Sequence, residues 1–183
     1  MNLWLRLIGL LLFRDRQRVD VLATTRVRFR AWPTDLDLNG HVNNGRYLMF
    51  ADLARIDWFL RTGVMQTALR QRARPLVGDA MAKFRRDLRL FQSFEIHSRL
   101  LGWDERWGFL EHRFVHGGRV IAVVTVRGMF RGPDGPLNPS QLLGSLNKPA
   151  TSPPLPEWLL TWDRASEQLS ALLRREEGRA VGE

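Results

Sequence analysis

Residues 35 to 44 read Asp-Leu-Asp-Leu-Asn-Gly-His-Val-Asn-Asn, which is more polar chemistry than a change of direction requires. A turn needs only a glycine, or one Asn or Asp, to supply left-handed backbone or an Asx hydrogen bond. Here Asp37, Asn39 and His41 alternate along the chain. The carboxylate can act as nucleophile or general base, the imidazole can carry a proton near neutral pH, and the amide can donate or accept. The residues that follow carry helix signals, an Asn to cap the first turn and Gly63 to close the last. A helix start presents unsatisfied N–H groups and a positive dipole end, so a carbonyl held there would meet oxyanion donors beside the Asp37 carboxylate. Taken singly, Asp35, Asp37, His41, Asn43 and Asn44 are ordinary turn, cap or packed residues. Their combination between a strand and a greasy helix points to a site.

Other chemistries find less support. The chain has no cysteine, which removes disulfides, thiolate metal sites and a sulfur nucleophile. Neither a Gly-x-Gly-x-x-Gly nor a phosphate-loop sequence is present, and Ser93, Ser98 and Ser140 lack a Gly-x-Ser-x-Gly elbow. His97, His112 and His116 are dispersed on strands without metal-ligand companions, so no metal is assigned and no cofactor is required. Asp52 and Asp57 read as charged surface positions of the helix. Trp103 and Trp107 read as core or interface residues rather than walls of a ligand pocket.

The positioning elements follow from periodicity. At 183 residues the chain suits one domain of ordinary size. Residues 24 to 32 alternate, Val27 and Phe29 to one side and Arg26, Arg28 and Arg30 to the other, as a half-buried strand ended by Pro33. The next helix has few charged positions, Arg46, Asp52, Arg55, Asp57 and Arg61, and must be enclosed. Four long strands are expected over residues 74 to 87, 94 to 104, 107 to 116 and 119 to 130, the last two joined at Gly117-Gly118. Pro133, Gly135, Pro136 and Pro139 end the sheet. A Pro-rich link then leads to an amphipathic helix over 157 to 177 with Trp158, Leu159, Trp162, Leu169, Leu172 and Leu173. The expected class is α+β, a long central helix wrapped by a curved antiparallel sheet, with N- and C-terminal helical extensions. The expected divisions are residues 1–20, 21–148 and 149–183. One curved layer leaves an open edge, so a homodimer or a dimer of dimers is the natural assembly.

The turn followed by a long helix resembles the acyl thioesterase side of the hot-dog superfamily. The spacing of Asp37, Asn39 and His41 is similar to that of plant acyl carrier protein thioesterases. Asp37 lies ten residues before Tyr47, as in 4-hydroxybenzoyl-CoA thioesterases. A second stretch, residues 85 to 115, resembles proteins of the thioesterase superfamily member six type, and together the resemblances cover residues 26 to about 130. They imply a hot-dog fold and hydrolysis of a fatty or aromatic acyl thioester of coenzyme A or acyl carrier protein. Asp37, Asn39 and His41 would be catalytic, and Asn43, Asn44 and Tyr47 would contribute oxyanion or substrate contacts, the Asn44 N–H being the expected oxyanion donor. Arg85, Arg86 and Arg89 are candidate contacts for the phosphates of the carrier. The alternative is a non-catalytic acyl-binding or membrane-associated protein of the same fold.

The formal charge is +9. Arg6, Arg14, Arg16, Arg18, Arg26, Arg28 and Arg30 stand against only Asp15 and Asp20 in the first thirty residues. No nucleic-acid-binding sequence pattern accompanies them, so nucleic acid is not an expected partner. Residues 1 to 13 are apolar apart from Asn2, Arg6 and Gly9, which recur at helical spacing. Such a helix falls short of the hydrocarbon core. It reads either as an amphipathic anchor on the inner leaflet of the cytoplasmic membrane or as a helix packed on the domain or a partner subunit. The expected compartment is the cytoplasm.

Overall fold

The computed structural model describes residues 3–13, 15–146 and 151–180. It forms two compact units, residues 1–152 and 153–183. Among the described residues the second contains one helix, Glu157–Ala180, three residues longer than the apolar periodicity indicated.

In the first unit helix α1 (Leu3–Phe13) precedes strand β1 (Thr25–Arg30) and a 3-10 turn at Pro33–Asp35. Helices α2 (Asn44–Thr62) and α3 (Val64–Arg70) lead into β2 (Arg74–Phe84), β3 (Ser93–Trp103), β4 (Gly108–His116), β5 (Arg119–Gly132), the short β6 (Gly135–Pro136) and α4 (Pro139–Gly144). The strands pair antiparallel in the order β1-β3-β4-β5-β2, with β6 beside β5. Thus β1 and β2, neighbours in sequence, lie at opposite edges, and α2 crosses between them against the sheet. Phe50, Ala54 and Trp58 of α2 share one buried cluster with Phe94, Ile96, Leu110, Phe114 and Val124. The Phe50 and Phe94 rings meet edge to face at 5.1 Å. This is the expected helix wrapped in antiparallel sheet. Gly117 (φ 56) and Gly118 (φ 72) supply the two left-handed positions of the β4–β5 hairpin.

Some expectations are corrected. Strand β2 ends at Phe84, not residue 87, because the Arg85 and Arg86 N–H groups both turn onto the Ile121 carbonyl, at 2.9 and 3.1 Å. Helix α3, which periodicity did not reveal, starts directly after the left-handed Gly63 (φ 85). Pro139 does more than end the sheet: it opens α4, whose Asn138 side chain accepts the Ser140 and Gln141 N–H groups at 2.9 and 3.3 Å. Asp57 is not a surface charge; it is 1% exposed and lies 3.9 Å from Arg61.

Candidate active site

The loop that carries Asp37 is a small hairpin. Leu36 and Val42 pair as an isolated bridge, the Asp37 N–H donates to the His41 carbonyl at 2.8 Å, and the Gly40 N–H donates to the Asp37 carbonyl at 3.1 Å. Gly40 (φ 74) takes the left-handed position that such a three-residue hairpin loop requires. Asp37 therefore does not end a strand. The sheet stops at Arg30, and the 3-10 turn at Pro33–Asp35 redirects the chain before the loop begins.

Asp35 holds this loop from beneath. It is 1% exposed, forms an ion pair with Arg6 of α1 and accepts the Trp32 N–H at 2.8 Å, with Arg46 at 3.6 Å from its other oxygen. Its carbonyl accepts the Asn43 N–H at 2.8 Å, tying the loop to the start of α2. There Asn43 caps the helix, its side chain accepting the Gly45 N–H at 2.9 Å. Asn43 has its side chain committed and does not line the cleft described next. The Asn44 N–H, at the first helical position, has no hydrogen-bond partner among the described residues.

Asp37, Asn39, His41, Asn44 and Tyr47 line one open cleft of about 320 Å³, together with Val42, Phe84, Arg85, Arg86 and Asp87. One Asp37 oxygen accepts the Asn39 N–H at 2.9 Å, so the carboxylate makes an Asx turn and keeps its second oxygen uncommitted. His41 Nε2 lies 3.4 Å from Asp87 Oδ2, an ion pair when the imidazole is protonated. Tyr47 is buried, its ring edge to face with Phe84 at 5.2 Å and with Phe114 at 5.0 Å. Burial, and then the charge of Asp87, push its phenol up to about 12, which keeps it a hydrogen-bond donor. Arg85 and Arg86 belong to the connection after β2, not to a strand, and put two cations on the rim. Arg89 does not line the cleft; its backbone pairs with His41 instead.

That His41–Arg89 bridge is what sequence reasoning missed, since it brings Asp87 and the end of β2 to the loop. Only the Arg-Arg-Asp run after the strand hinted at Asp87. A second cavity also escaped. An apolar pocket of about 300 Å³ lies along the second half of α2, with Ile56, Phe59, Met65, Leu100, Trp103 and Phe130 among its walls. Trp103 is thus a pocket wall, held by its indole N–H donating to Ser140 Oγ at 2.9 Å. Among the described residues Arg55, paired with Asp52 at 2.5 Å, is the one cation lining this pocket. Among the described residues no group of three or more His, Cys, Asp or Glu could hold a metal ion.

The family model of the thioesterase-like superfamily matches residues 31–162. The chain is 36% identical to Protein THEM6 of Xenopus laevis over 149 residues, 80% of this chain and 70% of that protein. Among solved structures, the YbaW probable thioesterase of Escherichia coli superposes with a TM-score of 0.63 at 22% identity, covering 67% of this chain and 96% of that one. A gentisyl-coenzyme A thioesterase superposes with a TM-score of 0.55 at 19% identity, covering 67% of this chain and 98% of that one. At these identities the two structures speak for the fold.

Proposed function

The chain belongs to the thioesterase-like superfamily, and from that premise we propose that it hydrolyses a fatty or aromatic acyl thioester of coenzyme A or acyl carrier protein. The observation that carries the reading is the meeting, in one cleft, of a carboxylate with an uncommitted oxygen and an unpartnered N–H at the start of a helix. Asp37 takes the proton of an attacking water, or attacks the thioester carbonyl itself to form an anhydride that a water then cleaves, releasing the acid and restoring the carboxylate. The Asn44 N–H, with the positive end of α2 behind it, receives the oxyanion. Collapse breaks the C–S bond, and His41, oriented by Asp87, gives its proton to the leaving thiolate. Tyr47 donates to substrate, Asn39 shapes the loop around Asp37, and Arg85 and Arg86 meet carrier phosphates.

The acyl group runs along α2 to the apolar pocket. Asn44 and Arg55 are separated by roughly 16 Å along the helix axis at 1.5 Å per residue, a span suited to an extended chain. The second subunit of a homodimer completes the site, because β2 is an edge strand that leaves Leu76 and Val77 45% and 48% exposed. That edge ends at Phe84, in the cleft wall.

A second reading, a non-catalytic acyl-binding protein of this fold, is favoured by the engagement of Asp37 in its own turn. Thiol release from short, long and aromatic acyl-CoA separates the two. With no cysteine in the chain, every thiol detected is product. Hydrolysis predicts turnover that collapses in Asp37→Ala. Acyl-CoA binding with no release across coenzyme A and carrier-protein thioesters establishes the second reading.

A further inference from the structure

Helix α1 is attached to the domain the wrong way round for a helix that packs to hide its apolar face. Its polar residue points inward: Arg6 is 5% exposed, forms the ion pair with Asp35 and lies 4.5 Å over the Phe50 ring. Leu10 is buried with it. The apolar residues point outward, with Leu5 60%, Ile8 52%, Leu12 62% and Phe13 87% exposed. In water such a face is unfavourable, and its contiguity over three turns marks an interaction surface rather than scattered exposure.

The surroundings select the occupant. The groove between α1 and β1 is lined by Arg26, Arg28 and Arg30, alternate residues of the edge strand, and its carboxylates, Asp15 and Asp57, face Arg61 at 3.0 and 3.9 Å. Arg28 also reaches Glu95 at 2.8 Å, and Arg30 donates to the Phe91 carbonyl at 2.8 Å, but each keeps further N–H groups for another acceptor. A second copy docked here would bring two arginine rows together. An apolar strip bordered by arginines instead matches the boundary between acyl tails and anionic headgroups. At eleven residues the helix is about 16 Å long, too short to span, and among the described residues no helix is long and apolar enough to cross a membrane.

We propose that the outer face of α1, with Arg26, Arg28 and Arg30 beside it, docks the protein flat on an anionic lipid bilayer. The buried Arg6–Asp35 pair fixes α1 to the loop that carries Asp37, so docking holds the cleft at a set orientation near the surface from which acyl groups come. This inference stands whether or not the cleft hydrolyses thioesters.

The test is sedimentation of the full chain with vesicles of phosphatidylcholine, with and without phosphatidylglycerol. Anionic vesicles should carry the protein down, with at least about tenfold weaker binding at high salt. Ile8→Ser/Leu12→Ser should abolish binding while leaving the far-ultraviolet circular dichroism unchanged. Arg26→Gln/Arg28→Gln should weaken binding to anionic vesicles several-fold and leave the weak binding to neutral ones alone. Three results would overturn the proposal: wild type left in the supernatant, a serine double variant that sediments like wild type, or equal binding to neutral and anionic vesicles. Should the serine variant instead lower the solution mass of a wild type that ignores vesicles, the face is a protein interface and the lipid assignment fails.

Discussion

Asp35 and Asp37 stand two residues apart, share a residue type and flank the same loop, yet the fold uses them for opposite purposes. Asp35 is buried, with both oxygens taken by Arg6, Arg46 and the Trp32 N–H. Asp37 faces an open cleft with one oxygen engaged by a local N–H and the other uncommitted. A carboxylate whose oxygens are all taken by donors has no lone pair left for substrate, whereas one with a spare lone pair beside a helix N-terminus can reach a carbonyl. The first shapes the second, because the carbonyl of Asp35 also takes the Asn43 N–H that starts α2.

The sharpest test of that contrast is Asp37→Ala. Turnover should fall by about 10² to 10⁴, the worth of a positioned base, with the urea midpoint almost unchanged since only one local hydrogen bond is lost. Unfolding of this variant would erase the distinction between the two aspartates. Asp35→Ala should do the reverse and cost on the order of 3 to 5 kcal/mol of stability, because Arg6 is left as a buried charge, and Nε and Nη1 of Arg6 already lack partners. Chemical denaturation measures it. An Asp35→Ala protein as stable as wild type would mean that the ion pair contributes nothing to the anchoring of α1.

Asn43 and Asn44 repeat the contrast at the helix start: the first acts through its side chain, the second through its backbone. Proline is tolerated at the first helical position, where the N–H has no intrahelical partner, and Asn43 (φ −57, ψ 139) already has the extended backbone that a following proline demands. Asn44→Pro therefore removes the proposed oxyanion donor and spares α2. The expected loss in kcat is about 10² to 10³, while Asn44→Ala, which keeps the N–H, should stay close to wild type. Equal behaviour of the two variants would take the oxyanion away from this amide.

These pairs also mark what the sequence could disclose. Asp37, Asn39, His41 and Asn44 were legible because the cleft's near wall is built from neighbours within one turn and one helix start. The strands and the enclosed helix were legible from periodicity. Asp87 was not, since the His41–Arg89 bridge that delivers it joins segments far apart in the chain. Nor was the role of Arg6, whose partner lies 29 residues away. Residue type gives only the average environment: Trp103 is the core residue expected of it, but only the packing of α2 against the sheet shows that it also borders a pocket and that Asp57 is buried rather than a surface charge. Helices α3 and α4 are too short for a period to emerge.

Two histidines extend the comparison to pH. His41 lies half-open in the cleft facing Asp87, while His112 is fully buried on β4 with Nδ1 2.8 Å from Ser98 Oγ and Nε2 without a partner. Burial first, and then the nearby charge of Arg55, depress the His112 imidazole to about 3. Between that value and the ordinary 6.5, the unfolded chain binds a proton that the native one refuses. Stability contributed by neutral His112 is therefore fully present above pH 6.5 and is lost as the pH falls toward 3. At its steepest the loss is about 1.4 kcal/mol per pH unit, the worth of one proton. In His112→Gln this component should vanish, so unfolding free energies of the two proteins, measured from about pH 7 down to about pH 4, should converge toward acid. Parallel curves would show that His112 takes up a proton in the native state as readily as in the unfolded one. The buried packing of Ser98 against His112 would then have to admit water, which would undo the contrast between a histidine open to a cleft and one closed off from solvent.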